Sequence, residues 1–154
     1  MPAISFNSVL IIAAIAIPNL MRARMSANES SAAASVRSLN TAEVSYAAAY
    51  PSVGFTGVLT SLGPDATPCK TIDSTAGCFI DTVLASGAKE GYTITLGAGS
   101  AVGGANMTFA DTAVPAAVGT TGTRGFCSDQ SGVIYYTTGA GAGVCTVGGG
   151  SVLQ

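Results

Sequence analysis

The chain has 154 residues, 48% of them apolar but only 6% aromatic and 9% charged, with a net charge of −2, 20 Gly and no His or Trp. The lack of His removes the commonest general base, the commonest transition-metal ligand and every His-containing catalytic triad. With Arg22 and Arg24 as the only close basic pair, the chain also lacks the Lys and Arg clusters that neutralise phosphates, so nucleic acid is not an expected partner.

Residues 1–21 carry no charged side chain, and the dense apolar part, Val9 to Ile17 (VLIIAAIAI), is nine residues. As a helix that part spans roughly 14 Å, about half the thickness of a bilayer core, and so makes a poor membrane span by itself. A secretory apolar segment with Ala14-Ile15-Ala16 as a cleavage site is the rival reading.

Leu20 to Ala49 predicts helix, being rich in Ala, free of Gly, and without Pro between Pro18 and Pro51. Ala32, Val36, Leu39, Tyr46 and Tyr50 recur at helical steps and mark one apolar stripe. Arg22, Asn28, Glu29, Arg37 and Asn40 are assigned to other faces. Ser26-Ala-Asn-Glu29 is a capping-box pattern, which on its own predicts a helix start at that point. A continuous helix would instead be bent by Pro18, whose missing N–H leaves a carbonyl free. Val9 to Ala49 would then be a rod of roughly 60 Å, longer than a head of about 100 residues is wide. Residues 1–50 are therefore expected as an N-terminal helix, with an apolar stem over 9–21 and an amphipathic part over 22–50. A protruding apolar stem needs a partner.

Tyr50-Pro51 ends the helix, and residues 51–90 form a turn-rich connection with Gly54, Gly57, Gly63-Pro64 and Pro68. Phe79 to Ser86 (FIDTVLAS) predicts a short helix closed by Gly87. From Gly91 the period changes to two. Tyr92 to Leu96 is one strand, and Asn106 to Phe109 is a second, with Ala113-Val114 prolonging its edge. Phe126-Cys127 and Val133 to Tyr136 flank a hairpin-like turn at Asp129 to Gly132. The sheet is placed in residues 91–137, and the Gly-rich tail 138–154 is expected to be irregular and tethered by Cys145. One long helix on a small antiparallel sheet of three or four strands is an α+β fold, with the head at residues 51–154.

Four Cys stand at 69, 78, 127 and 145. Their even number and the lack of His point to disulfides, hence to an oxidising, exported location. The spacings lack the two close Cys pairs of a structural zinc site. Of the three possible pairings, Cys69–Cys78 and Cys127–Cys145 are expected, because both close local loops in Gly-rich surroundings. Ser and Thr are plentiful but have no His to activate them. The glycines at 97, 99, 103 and 104 follow a strand without the Lys or helix start of a phosphate-binding loop. Asp65, Asp73 and Asp81 lack ligand spacing, and Asp111 and Asp129 are isolated, so no calcium site is expected. No catalytic residue, cofactor or metal is expected.

The stretch Ile11 to Asn40, IIAAIAIPNLMRARMSANESSAAASVRSLN, closely resembles the N-terminal helix of type IV pilins and of type II secretion pseudopilins. IIAAIAIPNL, with Pro18, is its most specific part. The Cys pair at 69 and 78, FIDTVLAS, Gly91-Tyr92 and the Thr123 to Ile134 segment extend the similarity, which covers Leu10 to about Tyr136. The resemblance implies a type IV pilin-like fold. It also implies a helical homopolymer displayed outside the cell as a filament, passing through the inner membrane and built by pilus or type II secretion assembly machinery. Leu10, Ile11, Ile12, Ile15, Ile17, Pro18 and Leu20 would form the filament core. Arg22, Arg24, Glu29, Arg37 and Glu43 are candidates for inter-subunit salt bridges, although exposed pairs contribute only about 0–1 kcal/mol. The family's Gly-Phe processing junction and its assembly glutamate have no counterpart in residues 1–9, where no acidic residue precedes Glu29. The alternatives are the major pseudopilin of a secretion system and an exported monomeric binding module whose mature chain begins near Ile17.

Overall fold

A computed structural model describes residues 6–153, and their side chains from Ala16 onward except at Ala140. The Gly-free N-terminal sequence forms one helix, α1, Phe6–Ala49, which continues through Pro18. At 44 residues it is roughly 66 Å long. The capping-box pattern does not start a helix. A capping box requires the Glu29 carboxylate on the Ser26 N–H, and that carboxylate is engaged by the sheet instead. The low-charge exposed face of α1 satisfies its hydroxyls internally: Ser30, Ser38, Thr41 and Ser45 each donate to the carbonyl four residues back.

The chain leaves α1 through a turn in which the Gly54 N–H donates to the Tyr50 carbonyl. Gly54 adopts a φ of 73° and lies against the backbone of Asn106, where a Cβ has no room. Short helices follow, α2 at Leu59–Leu62 and α3 at Thr82–Ala85. The helix expected over residues 79–86 is shorter than its apolar pattern. Asp81 caps it by accepting from the Leu84 N–H at 2.8 Å, and Gly87 follows its end at φ 76°.

The strands are β1 Ala88–Lys89, β2 Tyr92–Ala98, β3 Ala101–Val102, β4 Ala105–Asn106, β5 Phe109–Pro115, β6 Arg124–Asp129, β7 Tyr135–Thr138 and β8 Ser151–Val152. Six of them form one antiparallel sheet in the order β1-β2-β5-β6-β7-β8, while β3 and β4 make a separate hairpin. The three or four expected strands correspond to the long central ones; the two-residue edges β1 and β8 enlarge the sheet.

Two local expectations are corrected. Asn106 to Phe109 is not one strand. Asn106 is recruited by the turn after α1, donating its N–H to Val53 and its side-chain amide to Phe55, so β5 starts at Phe109 and has Ala113-Val114 in its body. The Gly-rich tail is not irregular throughout. A 3₁₀ turn spans Gly139–Gly143, and β8 pairs with β7, with the Leu153 N–H donating to the Ile134 carbonyl.

α1 lies on one face of this sheet. Ala32, Val36, Leu39 and Tyr46 of the expected stripe are buried, joined by Ala33 and Ala42, against Tyr92, Ile94, Ala113 and Phe126; Tyr50 is half-buried at the edge. Ala at three of these helix positions lets the backbone approach the sheet closely. Val36 and Leu39 are fully enclosed and each contributes about 1.5–3 kcal/mol by burial. Cys127 alternates with Phe126 and so faces the opposite side, where it is bonded to Cys145. The other disulfide joins Cys69 to Cys78 in the connection, so both pairings are the expected ones. The architecture is α+β.

Candidate assembly surface

From Ala16 to Ala27 every side chain of α1 is exposed apart from a half-buried Met25. Ile17, Leu20 and Met21 are 59%, 72% and 52% exposed, although each is a large apolar residue. The first side-chain hydrogen bonds between helix and head are made by Asn28, whose amide donates to the Thr121 carbonyl at 3.0 Å, and by Glu29. The stretch from Phe6 to Leu20, roughly 22 Å of helix, thus extends past the groove at which α1 first meets the head. Pro18 lies within this stretch without ending the helix. The side chains of Leu10, Ile11, Ile12 and Ile15 lie outside the described residues.

Arg22 and Arg24 are exposed on the next turn of α1, and Arg37 is exposed further along it. Among the described residues these three arginines form no ion pair. At the neck, Met21, Arg24 and Asn28 line a groove with Glu90, Thr120 and Thr121 of the head.

Glu29 behaves differently from its expected role as an inter-subunit charge. It is buried and engaged within its own chain, accepting from the Thr123 N–H at 2.7 Å, the Thr123 hydroxyl at 2.8 Å and the Arg124 Nε at 2.8 Å. Burial by itself would raise its pKa. The two Thr123 hydrogen bonds and the Arg124 guanidinium outweigh that effect and hold it below the ordinary carboxylate value.

Glu43 also departs from expectation. It is fully buried, with Oε2 accepting from the Thr56 N–H at 2.9 Å and Oε1 without a partner. Across from it, Asp111 on β5 is fully buried and neither of its oxygens has a hydrogen-bond partner from another residue. Burial raises both carboxyls to about 7. For Glu43 the Thr56 bond opposes this only partly; for Asp111 its own backbone N–H opposes it, while the nearby charges of Glu43 and Asp129 add to it. Sequence reading left Asp111 isolated and grouped Glu43 with the solvated charges, yet a signal existed for each. Glu43 continues the 36, 39, 43, 46 spacing of the buried stripe. Asp111 alternates in phase with Phe109 and Ala113, the inward positions of β5.

Asp65, Cys69 and Cys78 offer atoms within 4.8 Å of one another, but the two sulfurs are joined as a disulfide and provide no thiolate for a metal or a nucleophile. Among the described residues no helix is long and apolar enough to cross a membrane.

The fold and its exposed helix define a class: an α+β, disulfide-bonded protein with a projecting, sparsely charged apolar helix. No protein-family model, no curated protein and no solved structure matches the chain.

Proposed function

We propose that this protein is the repeating structural subunit of an extracellular pilus-like filament, in which N-terminal helices bundle and the heads face outward. The observation that carries the reading is the exposure of Ile17 and Leu20 on the part of the helix that projects past the head, continued by Met21 at the neck. Clustered large apolar residues on a surface are costly in water and mark an interaction face. Burying each against neighbouring helices contributes about 1.5–3 kcal/mol, and a bundle repeats that gain at every subunit. Low overall charge fits repeated self-packing, since like charges at each contact would accumulate. The two disulfides fit an oxidising, exported environment. The resemblance of residues 11–40 to type IV pilins supports the same reading, with the partner being a further copy of this chain.

Electron microscopy and sedimentation of the purified full chain test the proposal. Filaments are expected from the native protein. Leu20→Glu, which leaves the head untouched, is expected to yield soluble subunits with both disulfides intact. A native chain that sediments as a monomer at every concentration overturns the reading.

A further inference from the structure

Between α1 and the sheet lies a group of polar atoms that filament assembly does not use. Asn40 and Glu43 sit one turn apart on the sheet-facing side of α1. Asp111 and Ser128 are register partners on β5 and β6 and project to the same face. The Asn40 amide donates to the Ser128 hydroxyl at 2.9 Å, which brings the helix side of the group against the sheet side.

Two donors at the group are already committed. The Ser128 hydroxyl donates to the Val133 carbonyl, and the Thr56 N–H donates to Glu43 Oε2. Four buried oxygens remain without a donor: Asn40 Oδ1, Glu43 Oε1 and both oxygens of Asp111. No basic side chain of the chain serves them. Arg124 is paired with Glu29 and Lys89 with Asp81, while Arg22, Arg24, Arg37 and Lys70 are exposed. With both carboxyls ionised, this buried set of acceptors is strongly unfavourable unless protons or a cation neutralise it.

We propose that Asn40, Glu43 and Asp111 form a binding site for one hard, oxygen-ligated divalent cation of the calcium type. Two carboxylates match the charge of such an ion. Carboxylate and amide oxygens are its preferred ligands, and calcium tolerates the irregular geometry that a helix and a strand together provide. The site was invisible as a motif because its ligands come from two elements whose meeting depends on the fold. Binding requires ionised carboxyls, so it releases protons and weakens in acid.

The test is thermal unfolding of the chelator-treated full chain at pH 8 with and without calcium chloride, together with native mass spectrometry. Calcium is expected to raise the melting temperature and to appear as one bound ion. Asp111→Asn is expected to abolish both effects, with Glu43→Gln as the second variant should the first fail to fold. Absence of a bound ion and of a melting shift overturns the proposal and leaves protons or water as the occupants. An equal shift in Asp111→Asn also overturns it, by moving the calcium effect to another part of the molecule.

Discussion

Arg124 Nε on β6 lies 2.8 Å from Glu29 Oε2 on α1, so the point at which the helix leaves the head is an ion pair backed by two hydrogen bonds from Thr123. The guanidinium is fixed on its other side by the rings of Phe126 and Tyr136, whose centroids are 5.6 and 5.8 Å away. The Tyr92 hydroxyl donates to the Arg124 carbonyl at 2.7 Å. Arg124→Leu therefore leaves a buried carboxylate short of a charged partner. It is expected to destabilise the head by about 1–3 kcal/mol, read as a lower urea midpoint at unchanged slope. An unchanged midpoint would show that Thr123 alone satisfies Glu29.

The buried carboxyls divide the pH dependence into two limbs. Glu29 has a folded pKa below its ordinary 4.5, so its contribution is present above that value and is lost as pH falls through the folded one. Glu43 and Asp111 have ordinary values of 4.5 and 3.8 and folded values of about 7, so in the absence of divalent ions their contribution is complete below the ordinary values and declines as pH rises through about 7. Thermal melts in chelator are expected to show a stability maximum on the acid side of neutrality. Asp111→Asn should make the decline toward neutral pH shallower, leaving the share of Glu43, and keep the acid limb in place.

Gly125 in β6 has the carbonyl of Ala142 directly over its α-carbon, so the tail turn packs onto bare backbone. Gly125→Ala is expected to lift that turn and cost about 1–3 kcal/mol through overpacking. Hydrogen exchange is expected to quicken at Val144, whose N–H donates within the turn, and to be unaffected at Ile94 in the core.

Cys145→Ser removes the link between the tail and β6. A loss of about 2–4 kcal/mol is expected, together with faster proteolysis between the 3₁₀ turn and β8. A tail that remains protected after the substitution would assign its anchoring to the β7–β8 pairing.

A fifth expectation concerns assembly. Exchange of Arg22 or Arg24 for Gln should alter the salt dependence of filament formation more than its occurrence, since exposed charges contribute about 0–1 kcal/mol and are screened. Sedimentation across a salt series checks it. Dissolution of filaments by either single exchange would instead make these charges the main contact.

Much of the fold was written in short-range pattern. The stripe Ala32, Val36, Leu39 and Tyr46 follows from the 3.6-residue helical period. The strand at Tyr92 and the turn at Asp129 to Gly132 follow from period two and turn chemistry. The disulfide pairing follows from loops of 9 and 18 residues. Each depends on residues near in sequence, where backbone geometry leaves few choices. Glu29 and Arg124 are 95 positions apart, and nothing around Ser26 to Glu29 distinguishes a cap from a helix interior until the sheet supplies Thr123 and Arg124. Asn106 fits a strand equally well until the turn after α1 takes its hydrogen bonds. Asp111 becomes a buried, unpartnered acid only once α1 closes over β5. Periodicity states which face a residue belongs to; which distant group meets that face is a matter of packing, because partner choice is settled by the free energy of the assembled core and not by any local preference.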